Sequence, residues 1–258
     1  PWLNVEDLVG GNFGRSGEGW IDPFSLLQAF KRKALSQQVN YIKNTVTGLE
    51  KNGSKISDVI LADGSKISCD CVINAAGCNA RDVAEMAGIK NYPVESRKRQ
   101  VHVFRCANFL PNAPLVIDPS GVYFKPEGKQ FICGRSPDSK HDPECKDFDL
   151  NFAQFEEEIW PILAHRVPIF EAIRREHSWA GHYAFNTFDQ NAIVGLYPEV
   201  KNLFLANGFS GHGLQQAPAI GRGIAELVTH GQYQTIDLSS FNFERFDKGN
   251  FLIETEVV

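Results

Sequence analysis

The sequence predicts an α/β chain of discontinuous architecture, in which a mostly antiparallel β domain is inserted into a domain of mixed strands and helices. Three observations carry this. Residues 1–91 mix helix and strand signals, residues 92–189 hold short alternating strands split by Pro and Gly, and residues 190–258 return to strand, turn and helix. At 258 residues and 43% hydrophobic, the chain can bury roughly three-quarters of its unfolded surface, so no disulfide staples are needed.

The elements follow in order. Pro1 opens the sequence without an initiator methionine or a signal or transit peptide, and the expectation is a processed or truncated product. After the glycine-rich "VGGNFGRSGEG", Asp22 can cap a helix and Pro23 suits its first turn. Phe24, Leu27, Phe30 and Ala34 then form one apolar stripe, with Lys31, Arg32 and Lys33 on the wet side. Asn52–Gly53 and Asp63–Gly64 are hairpin signals between β-rich runs. Cys71–Val72–Ile73 reads as a buried strand ending in Asn74–Ala75–Ala76–Gly77, and a short helix near Ala80 to Ala87 stops at Gly88.

From Tyr92, "PVESRKRQVHVFRC", "PLVIDPS", "GVYFKPEG" and "QFICGRSP" read as an antiparallel sheet, with Arg97–Lys98–Arg99 as a solvated strand entry. "SKHDPECKDFD" is a charged surface loop. Phe152, Phe155, Ile159, Ile162 and Leu163 outline an amphipathic helix limited by Pro168, and "IRREHSWAGHYAFNT" is a long strand returning to the first region. "NAIVG" and "NLFLANG" are further strands. A last helix carries Ala217, Ile220, Gly221, Ile224, Leu227 and Val228 on one face, admits Pro218 in its first turn and ends at Gly231.

The net charge of −5 argues against a broad nucleic-acid face. The six cysteines show no Cys-x-x-Cys spacing, so reduced thiols are expected and no metal site. No apolar run approaches the ~18 residues that a transmembrane segment needs.

The stretch "NGFSGHGLQQAP" is the most informative. Gly208, Gly211 and Gly213 surround Ser210 and His212 at the mouth of the last helix. A helix N-terminus carries partial positive charge and unpartnered N–H groups, and glycines let a flat or anionic ligand approach the backbone. The stretch is neither Gly-x-Gly-x-x-Gly nor a P-loop. Physics alone gives an anion or polarised ring at a helix mouth, against a ligand-free tight turn.

"NLFLANGFSGHGLQQAPAIGRGIAELVTHG", "VINAAGCNARDVAEMAGI", "PVESRKRQVHVF" and "SWAGHYAFNTFDQNAIVG" together resemble the D-amino-acid oxidase superfamily, in its glycine oxidase and sarcosine oxidase branch. The resemblance implies an FAD-binding Rossmann-like domain (1–91 and 190–258) with an inserted antiparallel substrate domain (92–189). It implies non-covalent FAD and hydride transfer from an amine or amino acid. The backbone of Gly211, His212, Gly213, Leu214 and Gln215, beside Gly208, would meet the electron-rich edge of the flavin. Val46 would meet the adenine through its backbone, and Asn74, Ala75, Ala76 and Gly77 would pack along the cofactor. Tyr183 and Gln215 stand where the family places charged substrate anchors, and Tyr183 and His212 are the catalytic candidates. His182 is a further candidate near the flavin.

Several departures qualify this. The family's N-terminal βαβ unit with Gly-x-Gly-x-x-Gly does not occur, so the chain looks like a C-terminal portion and is expected to hold FAD weakly by itself. Ile132 falls about where an oxygen-activating lysine would, and Gly181 or His182 where some members carry a flavin-linking cysteine. These residues favour poor oxidase activity, and the alternative is a catalytically inactive flavoprotein-fold assembly factor. "NTFDQN", "GFSGHGLQQAP" and "QTIDLSSFNFERF" resemble a mitochondrial branch. That branch implies the matrix side of the inner membrane and, as partners, complex I subunits or assembly intermediates.

Overall fold

A computed structural model describes residues 2–255 apart from 18, 109, 111 and 138–140. Pro1, Glu18 of the glycine-rich stretch, and Ser139 and Lys140 of the charged loop therefore lie outside the described residues.

Helix α1 (Pro23–Ser36) starts as its cap residues dictate: the Asp22 carboxylate accepts the Ser25 N–H at 2.7 Å. Its stripe forms but does not bury. Phe24, Leu27 and Phe30 stay 68%, 61% and 52% exposed, so among the described residues this face has no cover. Strands β1 (Val46–Asn52), β2 (Lys55–Leu61) and β3 (Lys66–Ser68) form an antiparallel meander. Its two turns use Gly53 and Gly64 in left-handed conformation, φ 63° and 82°. Then come β4 (Val72–Asn74) and α2 (Ala80–Met86), which ends before Gly88.

The inserted domain is a five-stranded antiparallel sheet of β5 (Val94–Cys106), β6 (Val116–Ile117), β7 (Tyr123–Glu127), β8 (Gln130–Gly134) and β9 (Ile173–Asn186), ordered β6-β7-β8-β5-β9. β5 and β9 pair from Val94–Asn186 to Cys106–Ile173, with one irregularity at Val103/Phe104. Alternation gives the sheet two faces. One carries Phe104, Phe124, Phe131 and Cys133 against Phe155, Ile159, Leu163 and Phe170. Phe170 sits edge-on to three of these rings with centroids 5.0–5.2 Å apart. The other face carries Arg99, Tyr183, Ile132, Lys125 and Tyr123.

The expected amphipathic helix forms in two pieces, a wide π turn over Gln154–Ile159 and then α3 (Trp160–Arg166). Pro161 has no N–H to return to residue 157, so the ladder widens just before it. The first residues pack here too. Trp2 meets Phe124 edge-on, and buried Arg166 grips Asp7 through both Nη atoms and Asp118 through Nε at 2.6 Å. By packing, the start of the chain belongs to the inserted domain, although its sequence position groups it with 1–91.

The chain then returns through β10 (Ile193–Leu196) and β11 (Leu203–Asn207) into α4 (Gly213–His230), which Gly231 closes at φ 72°. A short α5 (Glu244–Asp247) follows. β11 runs parallel to β4 and antiparallel to β10, giving the order β10-β11-β4. Two expectations need correcting. The Cys71–Ile73 run is not a buried strand: β4 is an edge of its sheet and Ile73 is exposed. Pro218 lies in the second turn of α4 rather than the first, and removes the bond to the Leu214 carbonyl without stopping the helix.

Candidate active site

The parallel ends of β4 and β11 bring two asparagines together. Buried Asn207 donates through Nδ2 to the Asn74 carbonyl at 3.1 Å and accepts from the Tyr92 hydroxyl at 2.7 Å. Asn74 Nδ2 in turn donates to the Ala80 carbonyl at 2.9 Å, and its Oδ1 accepts from Ala76 N–H. This polar lattice fixes both turns that follow the strands, Ala75–Gly77 and Gly208–His212. Gly77, Gly208 and Gly211 adopt φ of 57°, 71° and 99°, which a side chain would strain. At Gly208 a Cβ would also lie 3.3 Å from Val94 Cγ2.

Ser210 bolts the second turn to the inserted sheet. Its N–H donates to the Ala184 carbonyl and its Oγ accepts from Asn186 N–H, both at 2.9 Å, and the residue is fully buried. This role was not legible beforehand, since its partners sit on β9.

His212 occupies the N-cap of α4, and its side chain does not cap the helix. Among the described residues no side-chain acceptor is placed on the first-turn N–H groups, and Gly211 and Gly213 bring no Cβ to their approach. Leu214 and Gln215 are exposed there. The mouth fits the electron-rich edge of a flavin: partial positive charge, unclaimed donors and no bulk. Gly211 and Leu214 also line a cavity of about 490 Å³ whose other wall is the second face of the inserted sheet. Leu115, Ile117, Tyr123 and Trp20 make that wall largely apolar, with Arg99, Lys125 and Arg135 as its cations.

The predicted residues distribute unevenly around this cavity. Tyr183 lies on the cavity-facing side of the sheet, its hydroxyl accepting from Arg99 Nη2 and its ring under the guanidinium at 4.4 Å. Burial raises the pKa of Tyr183 above the ordinary phenol value. Ile132 is on the same side, directly opposite Lys125, which pairs with Glu127 and sits 4.9 Å from the centre of the Trp20 ring. His182 points to the other side of the sheet, where Nε2 meets the Asp147 carbonyl at 2.7 Å and the ring rests on Phe148. It is not beside the helix mouth. Val46 starts β1 in the separate meander, in a different sheet from Asn74.

Arg97 and Arg99 overturn the expected solvated strand entry. Arg97 binds Glu95 and lies over the Phe185 ring. Arg99 makes a two-pronged pair with Asp142, Nη1 to Oδ1 at 2.8 Å and Nη2 to Oδ2 at 2.9 Å. The charged loop is accordingly anchored: the Cys145 N–H also donates to the Ser96 carbonyl, and Asp147 pairs with Lys98 at 2.6 Å.

β4 leaves one edge unpaired among the described residues. Beside it, Ile73, Ala206, Phe209, Ala217, Ile224 and Val228 line an open apolar groove of about 580 Å³. No group of three or more His, Cys, Asp or Glu among the described residues is placed to hold a metal, and no described helix is long and apolar enough to cross a membrane.

Comparison with known proteins agrees with this geometry. Residues 1–227 match the family model "FAD dependent oxidoreductase". The FAD-dependent oxidoreductase domain-containing protein 1 of Xenopus laevis is 41% identical over all of this chain, which covers 58% of that protein. The mitochondrial sarcosine dehydrogenase of Mus musculus is 27% identical over 95% of the chain and 28% of its own length. The chain thus spans little more than half of the first of these relatives. Among solved structures, L-proline dehydrogenase from P. horikoshii superposes with a TM-score of 0.80 at 28% identity, over 89% of this chain and 61% of that one. With its helix mouth, its inserted sheet and this family match, the chain belongs to the DAO family of FAD-dependent oxidoreductases.

Proposed function

We propose that the protein oxidises an amine or amino acid by passing a hydride to non-covalently bound FAD in the cavity between the α4 mouth and the inserted sheet. The observation that carries this is the uncapped N-terminus of α4, with Gly211 and Gly213 at its entrance, opening onto a cavity walled by a rigid antiparallel sheet. Bound there, the flavin supplies the hydride acceptor. The chain's own part is positional. The first-turn N–H groups of α4 stabilise negative charge at the flavin edge, and the Asn74–Asn207 lattice holds the two turns that flank it. Tyr123, Ile117, Leu115 and Trp20 would present an apolar wall to the reacting carbon, and Arg99, held by Tyr183, gives the cavity a polar corner. Hydride transfer from a carbon next to nitrogen needs no strong general base, so no His or carboxylate dyad is required.

Anaerobic mixing of FAD-loaded protein with N-methyl and α-amino acids tests the reading. Bleaching of the flavin absorbance by one class supports it, and unchanged flavin across the panel overturns it.

A second reading is an assembly factor that keeps the fold and cofactor without turnover. It is favoured by Gln215 and Tyr183, neutral groups where the family resemblance leads one to expect charged anchors. The sequence resemblance supports a place on the matrix side of the mitochondrial inner membrane, with complex I subunits or assembly intermediates as partners. Co-purification of those subunits with unreduced flavoprotein supports this second reading, and cell fractionation tests the location.

A further inference from the structure

Tyr92, in the connection between α2 and β5, is 1% exposed and held on three sides. Its hydroxyl donates to Asn207 Oδ1 at 2.7 Å, and Asn207 Nδ2 donates in turn to the Asn74 carbonyl at 3.1 Å. The Tyr92 carbonyl accepts from Arg81 Nε at 3.0 Å, on the helix that follows the Asn74–Gly77 turn. Its ring lies parallel to that of Phe243, with centroids 5.8 Å and planes 5° apart. Phe243 precedes α5 and is met edge-on by Tyr197 at 5.1 Å and by Phe246 at 5.4 Å.

Asn207 is wholly buried, so its amide must find protein partners at both ends. Turned over, it would set its oxygen against the Asn74 carbonyl. The Tyr92 hydroxyl therefore pins the one amide orientation that joins the ends of β4 and β11. Asn74 passes the hold on, donating through Nδ2 to the Ala80 carbonyl and accepting at Oδ1 from Ala76 N–H. A continuous run of contacts thus leads from the C-terminal segment to both turns beside the α4 mouth: Phe243, Tyr92, Asn207 and Asn74.

We infer that Tyr92 is the positioning residue of the two cofactor-facing turns, and that docking of the C-terminal segment 239–252 through Phe243 controls how firmly those turns hold FAD. The inference rests on the proposed reading of the turns as the cofactor's support, and adds a regulator to it. The two states are the segment docked, as here, and the segment released by local opening. Release takes away the ring that Tyr92 lies on, and with it the fixed direction of its hydroxyl. Linkage runs both ways: the factor by which docking tightens FAD is the factor by which FAD tightens docking.

Hydrogen exchange of the 258-residue chain, read by mass spectrometry, tests this. Without FAD, Phe243→Ala should raise exchange roughly fivefold in residues 74–80 and 207–213 and leave β7 and β8 unchanged. Tyr92→Phe keeps the ring and deletes only the hydroxyl, so the same turns should loosen while 239–252 keeps its wild-type exchange. FAD at saturation for each protein should slow exchange at 239–252 roughly fivefold in the wild type and not in Tyr92→Phe. A residue that only stabilised the fold would not remove that response. Turns that exchange at the wild-type rate in Tyr92→Phe, or FAD protection of 239–252 that survives the change, overturn the inference. Tyr92→Phe carries the test by itself should Phe243→Ala not fold. FAD that protects neither turn of the wild type overturns the cofactor reading and this inference with it, whereas protected turns beside an unprotected segment overturn the inference alone.

Discussion

The backbone N–H of Ser210 donates to the carbonyl of Ala184 across the junction of the two domains, at 2.9 Å. Ser210 is the residue before Gly211 at the α4 entrance, and Ala184 is the residue after Tyr183 on β9. One hydrogen bond therefore couples the helix mouth to the sheet that walls the cavity. The Ser210 hydroxyl doubles the link by accepting from Asn186 N–H, at a residue held in a left-handed conformation, φ 47°.

Ser210→Ala should keep the backbone bond to Ala184 and remove the hydroxyl half of the link. It leaves the buried Asn186 N–H without its acceptor, at a cost of about 1–3 kcal/mol. For a chain of this size the thermal midpoint should fall by roughly 2–12 °C. Differential scanning calorimetry checks it; an unchanged midpoint means that the hydroxyl link contributes nothing.

Isolated from any further chain, these 258 residues should bind FAD with a dissociation constant above about 1 μM. They supply the α4 mouth and the Asn74–Gly77 turn, but carry no Gly-x-Gly-x-x-Gly turn to cradle the pyrophosphate. Equilibrium titration followed by flavin fluorescence measures it, and sub-micromolar binding would refute the expectation.

His102 gives stability a pH dependence. It is fully buried on β5, with Nδ1 2.8 Å from Ser178 Oγ, its ring against Phe155 and Nε2 without a hydrogen-bond partner among the described residues. Burial and then the nearby Arg175 charge hold its pKa down at about 4, against 6.5 for a free imidazole. Below pH 6.5 the unfolded chain takes up a proton that the native state refuses. Stability from this residue is therefore complete above pH 6.5 and is lost as pH falls toward 4, by up to roughly 3 kcal/mol. Urea unfolding across that window should show a decline that is absent in His102→Phe, which stays neutral throughout.

Local chemistry was legible in the sequence, and long-range partnership was not. Asp22, Gly53, Gly88 and Gly231 mark boundaries through backbone preferences that act within a few residues, and each boundary stands. The glycines at 208, 211 and 213 announced the helix mouth for the same reason. Arg99 was misread because its partners, Asp142 and Tyr183, are 43 and 84 residues away. Three adjacent basic residues look solvated until a sheet and a returning loop close over them. The stripe of α1 shows the converse: periodicity tells which residues share a face, and nothing about what covers it. Pro218 falls one turn later than its expected place because its effect depends on where the helix begins, at Gly213.

Asp189 offers the most severe test of how the C-terminal segment is secured. Its carboxylate is buried and takes Arg245 through Nε at 2.7 Å and Nη2 at 2.9 Å. The same two oxygens accept from Asn186 Nδ2 at 2.8 Å and from Leu252 N–H at 3.0 Å. One side chain thus ties together the end of β9, the α5 region and the final residues. Asp189→Ala leaves the Arg245 charge buried with no carboxylate among the described residues, met by the carbonyls of Phe241, Asn242 and Asn191 and the Phe246 ring. Breaking a buried pair from one side costs about 3–5 kcal/mol, because the remaining ion is stranded. Replacing both partners, as in Asp189→Leu with Arg245→Met, removes the stranded charge and should recover part of the loss. Chemical denaturation of the single and double variants decides the matter. If the double variant is as unstable as the sum of the two single changes, the two residues act independently and the clamp is not one.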